Sequence, residues 1–154
     1  MSRLLPDSIS TLLEASNPPL DPVIEEMEEY GTKRGFPTVG PEVGQFLTVA
    51  ARMVSASRIF EFGSGFGYSA AWFARALGPD GELFLTDYDE SNLERASEFL
   101  DRLAYSGTVH LHPGTAIETF AAIDGTFDVI LVDLDKQQYV KALHIAADRV
   151  EPGG

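Results

Sequence analysis

The 154 residues hold 24 acidic against 11 basic side chains, a formal charge of −13, with 44% hydrophobic and 10% aromatic residues and no cysteine. That much apolar material builds one buried core and excludes a disordered chain, while the missing cysteine excludes disulfides, thiolate metal sites and cysteine nucleophiles. The negative field repels nucleic-acid phosphates and anionic membranes, which disfavours both as partners; no apolar run reaches the roughly 18 residues of a membrane span, and a cytoplasmic protein is expected.

Lysine is confined to Lys33, Lys136 and Lys141. An acidic surface so poor in lysine reads as a halophilic adaptation, because dense carboxylates hold water and high salt screens their repulsion.

A single domain is expected over 1–154, with an N-terminal helical segment over 1–40 and an α/β core over 41–154. Asn17-Pro18-Pro19-Leu20-Asp21-Pro22 breaks the chain, after which Val23, Met27 and Tyr30 recur at helical spacing. Glu25, Glu26, Glu28 and Glu29 fill the solvated side of that helix. Pro41 opens a second helix, in which Val43, Phe46, Leu47, Ala50, Met53 and Val54 form one apolar stripe.

From Arg58 onward the pattern alternates between strand and helix. Ile59 to Phe62 reads as a buried strand, Tyr68 to Leu77 as a helix stopped by Gly78-Pro79, and Glu82 to Thr86 as a second strand. Asp89 to Ala104 is a helix with Leu93, Ala96, Leu100 and Leu103 facing inward. Val109 and Leu111 mark a third strand, at the sheet edge, and Phe127 to Asp133 has the apolar middle of a central parallel strand. A last helix carries Tyr139, Leu143, Ala146 and Val150. Such alternation implies an α/β fold, a parallel sheet with helices on both faces.

Chemistry concentrates in Glu61-Phe62-Gly63-Ser64-Gly65-Phe66-Gly67. Glycines at alternate positions between a strand and a helix let the backbone approach a ligand closely, and the helix N-terminus favours negative charge. That charge could be a dinucleotide pyrophosphate or the carboxylate of S-adenosylmethionine. Asp87, at the end of the second strand, is where a ribose-binding acid belongs in either case, since a carboxylate accepts from both ribose hydroxyls.

Several segments together resemble the cation-dependent O-methyltransferase family that includes catechol and caffeoyl-coenzyme A O-methyltransferases. The resemblance runs from Thr38-Val39-Gly40-Pro41-Glu42-Val43-Gly44-Gln45-Phe46-Leu47 through Glu61 to Gly67-Tyr68-Ser69, Asp87 and Gly114-Thr115-Ala116, to Phe127-Asp128-Val129-Ile130-Leu131-Val132-Asp133-Leu134-Asp135-Lys136. It implies a Rossmann-like class I S-adenosylmethionine-dependent methyltransferase fold. It further implies that Glu61, Gly63 and Gly65 line the cofactor, Ser69 holds its carboxylate, Val39 packs on its methionine portion, Asp87 holds the ribose, and Thr115 and Ala116 edge the adenine. Asp133 matches a cofactor contact and the first ligand of a divalent cation such as Mg²⁺, and Lys136 matches the catalytic lysine. The implied reaction moves a methyl group to a hydroxyl of a small, aromatic acceptor.

The family continues past Pro152-Gly153-Gly154 into a fifth strand bearing an Asp-Asn pair that completes the metal site. The expectation is therefore a chain truncated after the fourth strand and its helix, with an incomplete cation site. A homodimer is expected, and two readings compete with the enzyme: a nicotinamide-dependent oxidoreductase, and a non-catalytic S-adenosylmethionine-binding or dimerisation module. His110 and His112 read as surface histidines, His144 has no role, and Trp72 belongs to the core.

Overall fold

The computed structural model describes Ile9, Leu12 and residues 19–154. The start of the expected chain break, Asn17-Pro18, and most of the N-terminal segment before it lie outside the described residues.

Helix α1, Pro22–Arg34, begins where Asp21 accepts the Val23 N–H at 2.9 Å and ends at Gly35, whose φ of 64° turns the chain out of the helix. It buries Ile24 and Met27 against Phe66, Tyr68, Trp72 and Phe99. Glu25, Glu26 and Glu29 face solvent as their spacing predicts, but Glu28 is half-buried and accepts the Tyr68 hydroxyl at 3.0 Å.

Helix α2, Gly40–Met53, departs from expectation. Its buried face is Gly44, Leu47, Thr48 and Ala51, whereas Val43, Phe46 and Met53 of the expected stripe are 45%, 67% and 81% exposed. The reason is a close approach to Trp72: a Cβ on Gly44 would lie 2.3 Å from the indole, and Thr48 donates its hydroxyl proton to the Trp72 carbonyl at 2.8 Å. The small face wins because it lets two helices approach, and the contact density gained there outweighs burying larger side chains.

The sheet is wholly parallel, in the order β3-β2-β1-β4, from β1 (Arg58–Phe62), β2 (Glu82–Asp87), β3 (Thr108–Pro113) and β4 (Val129–Val132). Alternating side chains separate two cores. Ile59, Leu83 and Leu85 point toward α2, α3 (Tyr68–Ala74) and α4 (Glu90–Arg102). Phe60, Phe62 and Phe84 point toward α5 (Ala116–Ala122) and α6 (Tyr139–Ala147). The α/β architecture with both faces covered is therefore as expected, and Trp72 is a core residue at 1% exposure.

Some boundaries differ. Helix α3 stops at Ala74 rather than Leu77, because the Ala76 N–H already turns back to the Phe73 carbonyl. The fourth strand is shorter than 127–133, and among the described residues it pairs with β1 alone. Asp128, before β4, accepts from the Ser57 N–H, the Ser57 hydroxyl and the Arg58 N–H at 2.7, 3.0 and 2.8 Å, which ties the start of β1 to β4. Partial burial opposes its ionisation, but those donors still hold the carboxyl below its usual range. In α6 the buried residues are Ala142 and Ala146, while Tyr139 and Leu143 are exposed and Val150 lies beyond the helix, bridged to Phe127.

Strand β3 is at the other edge, as expected, but its histidines are not plain surface residues. His110 stacks on Phe84 with ring centroids 4.2 Å apart and meets Glu82 at 3.0 Å, and His112 Nε2 is buried without a partner. Burial, then the neighbouring His110, pushes His112 toward its neutral form. Among the described residues no helix is long and apolar enough to cross a membrane.

Candidate functional site

The glycine loop leaves β1 after Phe62 and enters α3 at Tyr68. Gly63 and Gly65 have φ of 84° and 51°, a region that disfavours side chains. Their missing side chains make room for particular neighbours. A Cβ on Gly63 would lie 2.5 Å from the Asp133 carbonyl, and one on Gly65 would lie 2.5 Å from the Phe36 ring tip.

Most loop N–H groups are already spoken for. Gly63 donates to the Thr86 hydroxyl at 3.0 Å, Ser64 to the Thr86 carbonyl at 2.8 Å, Gly65 to Asp87 Oδ2 at 3.1 Å and Gly67 to the Ser64 carbonyl at 3.0 Å. Thr86 in turn donates to the Glu61 carbonyl at 2.7 Å and is fully buried. Sequence reasoning did not single out Thr86. The signal available was a hydroxyl inside an otherwise apolar strand, directly before an acid.

Asp87 is thus at the tip of β2, facing the glycine loop. Its other oxygen, Oδ1, accepts the Asp89 N–H at 2.8 Å and the Asn92 side chain at 3.1 Å, so one carboxylate joins the loop to the start of α4. The capping of α4 falls to Asp89, whose side chain accepts from Ser91 N–H at 3.0 Å.

Glu61 is 1% exposed on the same sheet face as α3. Ser69 donates its hydroxyl to Oε2 at 2.9 Å, and Oε1 is buried with no partner. Burial pushes the Glu61 carboxyl up to about 8; the Ser69 bond opposes this and the Asp133 charge adds to it. A folded-state value raised above the usual 4.5 means that stability is fully present below that value and is lost as pH climbs through about 8. Thermal unfolding followed between about pH 5 and about pH 8 should therefore show a melting temperature falling more steeply with pH in the wild type than in Glu61→Gln. Asp133 is also raised, by desolvation, so the difference between the two proteins isolates Glu61. Parallel curves would contradict this assignment.

Val39, Gly63, Gly65, Ser69 and Asp133 come together with Phe36, Pro37 and Tyr68 around one narrow crevice, with about 30 Å³ of free space. Lys136 starts a 3-10 turn, Lys136–Gln138, just beyond Asp133 and is exposed, without a hydrogen bond or ion pair to the described residues. Thr115 precedes α5 and donates to Glu118 at 2.6 Å, and Ala116 is buried in the second core. A larger groove of about 410 Å³ lies by the C-terminal ends of α2, α3 and α4, lined by Arg52, Arg75 and Tyr105, and contains none of the expected site residues.

Among the described residues no three His, Asp or Glu side chains gather where they could hold a metal ion. A hard divalent cation takes about six oxygens, and the crevice offers it the Asp133 carboxylate beside a buried Glu61. The residues described do not by themselves fit such an ion.

Residues 14–154 match the O-methyltransferase family. The chain belongs to that family. It is 33% identical to a catechol O-methyltransferase of Niastella koreensis over 120 residues, covering 75% of this chain and 54% of that protein. It is 29% identical to caffeoyl-CoA O-methyltransferase 1 of Arabidopsis thaliana over 157 residues, covering 96% of this chain and 61% of the relative. The chain therefore spans about half to three-fifths of the length of these O-methyltransferases. Among solved structures, the O-methyltransferase TomG from Streptomyces achromogenes, involved in tomaymycin synthesis and crystallised with S-adenosylmethionine, superposes with a TM-score of 0.86 at 27% identity. The match covers 94% of this chain and 68% of TomG.

Proposed function

We propose that this O-methyltransferase-family chain is a single domain that binds S-adenosylmethionine and serves methyl transfer to a hydroxyl of a small, aromatic acceptor. The observation that carries the reading is the pair of carboxyls flanking the glycine loop, Glu61 with its unpartnered buried oxygen and Asp87 at the tip of β2. S-adenosylmethionine carries an ammonium and a sulfonium beside a ribose diol. The Asp133 carboxylate and the Glu61 carboxyl, which a cation beside it would ionise, suit the two cationic centres, and Asp87 suits the diol. Because the loop N–H groups bond internally, the ligand's carboxylate falls to the N–H groups of the first turn of α3, which have no partner within the helix. Val39 covers the methionine portion.

Bound there, the cofactor supplies an electrophilic methyl on a positively charged sulfur. The chain's part is to orient the acceptor oxygen in line with that methyl and to take up its proton. Lys136, exposed three residues after Asp133 and without a hydrogen bond or ion pair to the described residues, is the group assigned to the proton, which its side chain takes up as the neutral amine. The cation assistance that the family resemblance implies would have to be held by the single accessible carboxylate of Asp133, which does not by itself fit a divalent ion. Cytoplasmic residence, a high-salt environment and a homodimer complete the reading.

Titration calorimetry with S-adenosylmethionine and with NAD tests it. Heat from the first and none from the second is expected; binding of NAD alone would overturn it in favour of an oxidoreductase. With an acceptor in hand, Lys136→Ala should lower turnover by about 10²- to 10⁴-fold at unchanged cofactor affinity, and unaltered turnover would remove Lys136 from the mechanism.

A further inference from the structure

We infer that Phe36 is the gate of the cofactor crevice, its ring occupying in the free protein the ground that the ligand must take. The inference rests on the cofactor reading above and concerns how that site is entered.

The chain leaves α1 through Gly35, at φ 64°, and the Phe36 N–H donates to the Gly31 carbonyl at 2.9 Å, which fixes the backbone and turns the ring back over the glycine loop. There its tip fills the space that the missing side chain of Gly65 leaves, 2.5 Å from where a Cβ would be. The ring meets Phe66 edge-on at 5.1 Å. With the ring so placed about 30 Å³ is left free, room for about one water, whereas small-molecule sites span roughly 300–1,000 Å³. Ring and cofactor therefore compete for the same volume.

The other walls are poorly suited to yield. Gly63, Ser64 and Gly65 are bonded to Thr86 and Asp87, Ser69 to Glu61 and Tyr68 to Glu28. The Phe36 side chain makes only apolar contacts, is 37% exposed and follows a glycine already in the left-handed region. It can swing out without breaking a hydrogen bond. A binding-competent state populated only when the ring is out lowers the apparent affinity by that fraction.

Stopped-flow mixing with S-adenosylmethionine and with its demethylated thioether, read by the fluorescence of the sole tryptophan, Trp72, tests the gate. Phe36→Ala should raise the association rate about tenfold, by removing the closed state. Phe36→Leu, which keeps an apolar side chain against Phe66, should be intermediate and guards against a folding defect in the alanine variant. An association rate in both variants equal to or below that of the wild type overturns the gate while leaving the cofactor reading intact. Absence of any calorimetric binding by wild type and variants alike overturns the cofactor reading, and the gate with it.

Discussion

Replacing Asp87 by alanine is expected to weaken S-adenosylmethionine binding by about 100-fold, the largest loss of cofactor affinity from any single change around the crevice. The carboxylate already accepts three donors, the Gly65 N–H at 3.1 Å, the Asp89 N–H at 2.8 Å and the Asn92 side chain at 3.1 Å. In the proposed complex it also takes the ribose hydroxyls. Hydrogen bonds to a charged group contribute about 1.5–3 kcal/mol each, and a 100-fold loss corresponds to about 2.7 kcal/mol. The substitution also leaves the Gly65 and Asp89 N–H groups without their acceptor, so the loop loses its anchor to β2. Asp87→Asn keeps an oxygen in place and should lose only about tenfold, as a neutral acceptor bonds more weakly than a charged one. Calorimetry on both variants decides: an alanine variant within about threefold of the wild type would take Asp87 out of the binding site.

The second large effect is on stability. Phe60→Ala should destabilise the domain by about 3–5 kcal/mol. Phe60 is fully buried in β1, with its ring 4.8 Å from Phe62, 4.8 Å from Phe120 and 5.4 Å from Phe127. Truncation removes the transfer free energy of a whole ring and opens a cavity that three other rings, held by β1, α5 and the segment before β4, are poorly able to close. For a domain of this size the loss corresponds to a melting temperature lower by roughly 10 °C. Because β1 carries the glycine loop, cofactor affinity should fall as well. A melting temperature within about 2 °C of the wild type would mean that the aromatic cluster relaxes far more than interiors of this density do.

Entry to the site and the pH response share one cause, a crevice that is tight and acidic. Glu61 is held neutral to about pH 8 by burial, and its unpartnered oxygen awaits a donor. A cationic ligand would favour the ionised form and draw that carboxyl back down. Cofactor binding is then linked to proton release at neutral pH, and the stability that the free protein loses as pH rises is restored on binding.

Chain order alone determined the elements and the motif. Strand and helix periods, the glycines after Phe62 and the acid after Thr86 are local patterns, and the α/β sheet with both faces covered, and the meeting of Gly65 with Asp87, followed from them. What local pattern leaves open is which of two apolar surfaces a neighbour selects. Helix α2 has Leu47 and Ala51 on one face and Val43, Phe46 and Met53 on another, and only the fit of Trp72 against Gly44 decided which went inside. The same holds for Thr86, whose hydroxyl was visible but whose role depends on the loop lying beside it, and for Phe36, which a sequence shows merely as an aromatic residue after a glycine. Its position over Gly65 depends on how α1 packs against α3 and α4, a long-range arrangement that no short window of sequence encodes.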